Sequence, residues 1–77
     1  MYRGRRIDLD VKNADLHNVF RMLSEVGGVN VVVADSVKGA VTLRLKRVPW
    51  DQVLYTVAAV KRLDVERRGN IFLITPQ

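Results

Sequence analysis

The sequence predicts an α+β domain of order β-α-β-β-α-β-β, two helices packed on small mixed sheets. Three observations lead there. Residues 6–12 and 41–46 alternate apolar and polar side chains with period two. Residues 16–23 and 50–57 repeat apolar side chains at helical spacing. Gly27-Gly28, Val48-Pro49 and Arg68-Gly69-Asn70 punctuate the chain between such runs.

Arg6 to Lys12 reads as a half-buried strand, with Ile7, Leu9 and Val11 on one face and Arg6, Asp8, Asp10 and Lys12 on the other. Asn13 is the expected N-cap of the first helix, and Asp15 in its first turn complements the helix dipole. Leu16, Val19, Phe20 and Leu23 should face the sheet, leaving Asn18, Arg21 and Glu25 to water. Gly27-Gly28 ends the helix, since one glycine can take the left-handed conformation of a C-terminal cap. Val29 to Ala34 is a short apolar run, expected as a strand buried on both sides, and residues 35–39 are a loop.

The next strand places Val41, Leu43 and Leu45 inward and Thr42, Arg44 and Lys46 outward. At Val48-Pro49 the period changes from two to 3.6. Proline fixes φ, lacks the N–H a ladder needs and keeps its predecessor extended, so a strand ends where a helix can begin. Trp50, Val53, Leu54 and Val57 form the apolar stripe of the second helix, roughly opposite Asp51 and Gln52, with Tyr55 turned towards the surface. The helix should stop near Val60, with Lys61 and Arg62 at its negative end. Leu63–Arg67 and Ile71–Thr75 form a hairpin around Arg68-Gly69-Asn70, and Pro76 ends the last strand.

Length and composition restrict the function. A chain of 77 residues makes one domain, burying about 60% of its unfolded surface. There is no cysteine, which excludes disulfides and thiolate metal sites. No apolar run approaches the roughly 20 residues of a membrane-spanning helix. The basic start is followed by Asp8 and Asp10 rather than by the apolar core of an export signal, so the expectation is a cytoplasmic protein or a fragment. The net charge of +5 is spread over several groups of cations interleaved with acids, the pattern of a solvated surface with one face suited to an acidic partner.

No reactive constellation is visible. His17 is the only histidine and falls on the flank of the first helix; Ser24 and Ser36 have no partner base. Asp8 and Asp10 share a strand face, but such carboxylates chiefly keep an edge strand soluble. The element order is shared with RNA-recognition modules. Their base-stacking aromatics are missing from Val41–Lys46, as is the GxxG clamp of KH domains. The expectation is therefore no enzyme, no cofactor and no metal.

The run V-K-G-A-V-T-L-R-L-K-R-V-P-W-D-Q-V-L at 37–54, preceded by N-A-D-L-H-N-V-F-R-M-L-S-E-V-G-G-V-N-V-V-V at 13–33, resembles the N-terminal ring domain of bacterial secretins. That domain is classed with the secretin and TonB N-terminal short domains, and the P-W-D-Q segment resembles the type IV pilus secretins within the group. The resemblance spans residues 5–76, leaving 1–4 as linker, with Met1 an introduced start. It implies a periplasmic docking and assembly domain of an outer-membrane channel, repeated around a homo-oligomeric ring. It also implies an inner-membrane-anchored pilus assembly protein as partner, neighbouring secretin subunits alongside, no nucleic acid and no membrane insertion by this domain.

Two other readings remain: a signalling domain of a TonB-dependent transducer, and a small basic nucleic-acid binder. The polar alternation of two strands, independently of the resemblance, marks Arg6, Asp8, Asp10, Thr42, Arg44 and Lys46 as candidate partner-binding residues.

Overall fold

The longest pairing in the chain joins β1 (Arg6–Asp15) antiparallel to β3 (Ala40–Pro49), making a two-stranded sheet. This computed structural model describes residues 2–77; Met1, read above as an introduced start, lies outside the described residues. The other sheet has order β2-β5-β4, built from β2 (Asn30–Val33), β4 (Leu63–Arg68) and β5 (Ile71–Pro76). β2 runs parallel to β5, and β4 antiparallel to it. The expected order of elements and the mixed pairing are both present.

Helices α1 (Leu16–Gly27) and α2 (Trp50–Val60) pack on each other and bridge the sheets: α1 contacts β1 and β2, α2 contacts β3 and β4. The helical stripes are buried as their spacing requires, with Leu16, Phe20, Leu23, Val53, Leu54 and Val57 fully enclosed. Leu9 and Val41 close the core from one sheet, Leu63, Phe72 and Ile74 from the other. Asn18, Arg21 and Glu25 face solvent.

The first helix begins differently from the sequence expectation. β1 continues through Asn13 to Asp15, and Asp15 is the N-cap, accepting from the backbone N–H of Asn18 at 3.2 Å. Asn13 is instead a bulge residue with φ +53, a conformation asparagine tolerates better than most side chains. Pairing of Ala14 with Val41 and of Asp15 with Ala40 extends the ladder past the point where local capping preference would stop it. At the other end Gly28 takes φ +62, and Val29 N–H reaches Ser24 O at 3.1 Å, closing the helix as expected.

The expectation that Val29–Ala34 is a strand buried on both sides is corrected. β2 pairs only with β5 and lies at a sheet edge; Val31 and Val33 turn towards α1, while Val32 is 50% exposed. An apolar run does not distinguish a covered strand from one whose outer face lacks a layer. The following loop is tightly held: Val37 is buried, and its carbonyl lies 2.7 Å from His17 Nε2, which therefore carries the proton. The lone histidine is thus a clip between helix and loop.

Trp50 ends β3's run and opens α2, with Pro49 at the N-cap position. Its indole is approached closely by two glycines. A Cβ on Gly27 would come within 2.5 Å of Cε2, and one on Gly4 within 2.5 Å of Nε1. Gly27 therefore makes room for Trp50, and Gly28 makes the cap. Tyr55, expected at the surface, is half-buried: its ring centroid lies 6.4 Å from Phe72 and 5.8 Å from Tyr2. The hairpin turns through Gly69-Asn70 with Gly69 at φ +60, the glycine-first two-residue turn.

Candidate docking surface

Antiparallel pairing of two alternating strands brings their polar sides onto one face. All six candidates, Arg6, Asp8, Asp10, Thr42, Arg44 and Lys46, are exposed there, while Leu9 and Val41 fill the opposite face. Asp10 stands directly across from Arg44. Such facing opposite charges stabilise a sheet modestly.

Two bulges shape this face. From Ile7–Val48 to Leu9–Leu45 the register gains one residue on β3; from Val11–Leu43 to Ala14–Val41 it gains one on β1. Each bulge holds a residue with left-handed backbone, Arg47 at φ +56 and Asn13 at φ +53. An unpaired N–H at each bulge is captured by the side chain opposite. Arg47 N–H donates to Asp8 Oδ1 at 2.9 Å, and Asn13 N–H to Thr42 Oγ1 at 2.9 Å. Arg6 Nη1 completes the first bulge by donating to Arg47 O at 2.9 Å.

Three of the candidates thus shape the ribbon. Asp8, Thr42 and Arg6 satisfy bulge backbone, which locally increases strand twist. Asp10, Arg44 and Lys46 carry no such bond among the described residues. Nor does an ion pair occupy Arg44 or Lys46: the salt bridge found among the described residues joins Arg68 Nε to Glu66 Oε1 at 2.8 Å, on the far hairpin.

Lys12, on the outer side of β1 as its alternation predicts, and Arg47 are also exposed cations of this ribbon, and neither is among the six candidates. The bulges leave a sign in the sequence, because Lys12-Asn13 and Lys46-Arg47 put two polar residues in succession where strict alternation allows one. Among the described residues β1 and β3 pair only with each other, so each also has one main-chain edge without a strand partner. A cationic face bordered by free strand edges can attract an acidic partner and hydrogen-bond its backbone. Among the described residues no cluster of histidine, aspartate or glutamate suits a metal ion, and no helix is long and apolar enough to cross a membrane.

Comparison with known proteins agrees with this architecture. The chain is 41% identical, over 99% of its length, to the type IV pilus biogenesis and competence protein PilQ of Neisseria meningitidis, covering 10% of that protein. The cryoEM structure of the V. cholerae type IV competence pilus secretin PilQ superposes with a TM-score of 0.77 and 43% identity, over 88% of this chain and 16% of that one. The N0 domain of the type II secretin from enterotoxigenic Escherichia coli, only 12% identical, shares the fold with a TM-score of 0.85 over 95% of this chain and 96% of that one. No family model matches the chain. The chain spans about a tenth of the length of the curated relatives it matches.

Proposed function

This chain belongs with the N-terminal ring domains of bacterial secretins, and from that premise we propose that it is a non-catalytic docking and assembly domain of an outer-membrane channel for type IV pilus biogenesis. In this reading residues 5–76 form the domain. It lies in the periplasm at the channel entrance, works without a cofactor, and is repeated around a ring with neighbouring secretin subunits. The carrying observation is identity of 41% along 99% of the chain to a type IV pilus PilQ.

The partner in this proposal is an inner-membrane-anchored pilus assembly protein. It docks on the β1–β3 outer face, where Arg44 and Lys46 supply charge and Asp10 sets register, while Arg6, Asp8 and Thr42 hold the surface in shape. A contact of this kind is weak for one copy and becomes useful through repetition around the ring. Long-range attraction speeds encounter more than it deepens affinity, so salt sensitivity is part of the proposal.

Titration calorimetry with the periplasmic part of that partner tests it. The double variant Arg44→Glu, Lys46→Glu should weaken binding by at least about tenfold and flatten its salt dependence, with the far-UV spectrum unchanged. Unaltered affinity would remove this face from the proposal.

A further inference from the structure

On another part of the surface the N-terminal segment runs past the first turn of α2 and the β4–β5 hairpin, leaving an open cleft of about 580 Å³. That volume lies within the range of sites for small ligands and short peptides. Every aromatic side chain of the protein except Phe20 lines it. The β1–β3 face plays no part in it.

The aromatic walls are angled. Trp50 and Tyr55 meet Phe72 at 82° and 76°, and Tyr2 meets Tyr55 at 46°. With Trp50 and Phe72 buried beneath and Tyr2 and Tyr55 more exposed, the rings form a notch for a compact apolar side chain. They do not form the parallel faces between which a nucleobase stacks. Tyr2 is 44% exposed, held over the cleft because the N–H groups of Arg3 and Gly4 both donate to the Asp51 carboxylate at 3.2 Å.

The charges on the rim are unequal in availability. Asp51 also accepts from its neighbour Gln52 N–H at 3.0 Å and sits in the first turn of α2, so its carboxylate is already well stabilised. Arg67 is pre-positioned: its guanidinium lies 5.3 Å from the Phe72 centroid, and its Nε donates to Gly69 O at 3.2 Å. Among the described residues its two terminal nitrogens have no partner, which leaves a fork suited to a carboxylate. Trp50 Nε1 likewise meets no acceptor among the described residues. Gly4 lies close to that edge, and a Cβ there would stand 2.5 Å from Nε1, so only glycine leaves the N–H within reach of the cleft.

We infer that this cleft binds an extended acidic peptide segment, with an apolar side chain in the aromatic notch, a main-chain carbonyl on Trp50 Nε1–H and carboxylates on Arg67 and Arg3. The occupant is chosen by complementarity: aromatic walls, one neutral donor without a partner among the described residues, and two cations, Arg3 and Arg67, against the single carboxylate of Asp51. It does not depend on the docking face described above.

Trp50 is the only tryptophan, so intrinsic fluorescence reads the cleft directly. The probe is a capped peptide of sequence Asp-Glu-Leu-Glu-Asp, titrated into the 77-residue chain. A saturable fluorescence change is expected, weakened at least about tenfold by Arg67→Glu and severalfold by Tyr2→Ala. Circular dichroism should stay unchanged in both variants, because both residues are exposed. The Arg44→Glu, Lys46→Glu variant should bind the peptide as the parent does, which separates this site from the β1–β3 face. The inference is overturned by no saturation up to about 5 mM peptide, by equal binding of the charge-reversed peptide, or by unchanged affinity in Arg67→Glu. Saturation by oligothymidylate without saturation by the peptide overturns it equally.

Discussion

Replacing Gly27 by alanine sets two physical effects against each other with opposite signs. Gly27 is the last residue of α1 and is not among the residues with positive φ, so alanine fits its backbone. Helix propensity and the loss of unfolded-state freedom would then favour the variant by about 0.5–1 kcal/mol. The added methyl group would, however, lie 2.5 Å from Trp50 Cε2, 2.6 Å from Cζ2 and 2.8 Å from Cδ2. The indole has little room to withdraw, because Gly4 also approaches it and Phe72 packs edge-on at 6.0 Å. Overpacking of this kind costs about 1–3 kcal/mol, and more when the neighbour is constrained. The expected net result is a loss of about 2 kcal/mol, equivalent to a fall in Tm of about 8–16 °C for a domain of this size. Urea and thermal unfolding followed by far-UV circular dichroism measure it. The double variant Gly27→Ala, Trp50→Phe should recover part of the loss, with a coupling of more than about 1 kcal/mol. An alanine variant as stable as the parent would refute the reasoning.

Thr42→Val keeps a β-branched side chain on β3 but removes the acceptor for Asn13 N–H; a loss of about 1 kcal/mol is expected in urea unfolding. Asp8→Ala should cost about as much, whereas Asp8→Asn, which retains an acceptor for Arg47 N–H, should cost distinctly less. Arg62, just past the C-terminus of α2, has φ +57 and donates its N–H to Ala59 O at 3.2 Å. Glycine is favoured in that position, so Arg62→Gly should raise stability by about 0.5–1 kcal/mol, measured as an increased urea midpoint with unchanged slope.

Much of the fold is legible because the relevant signals are local. Alternation from Ile7 to Val11 and from Val41 to Leu45 depends only on strand geometry, and the stripes Leu16–Leu23 and Trp50–Val57 only on the helical repeat. Pro49 marks a change of period that no neighbour is needed to explain. The errors arise where a distant segment decides. Asn13 looks like a cap until Val41 and Ala40 extend the ladder beneath it. Val32 looks buried until β5 takes the central place in its sheet. Tyr55 points away from its own helix's stripe, yet Tyr2 and Phe72 come to meet it.

The candidate docking face divides the same way. Period two puts Arg6, Asp8, Asp10, Thr42, Arg44 and Lys46 on polar sides of two strands, and family kinship is carried by ordered motifs from 13 to 54, so both can be read from residues alone. The pairing register is different in kind: it depends on which residues of two separated segments meet. That register makes Asp8 and Thr42 caps for opposite bulges, brings Arg47 onto the face and leaves Arg44 and Lys46 available. The aromatic cleft is more distant still from the linear pattern. Tyr2, Trp50, Tyr55, Arg67 and Phe72 share no periodicity, and only the closing of the chain around two helices brings them together.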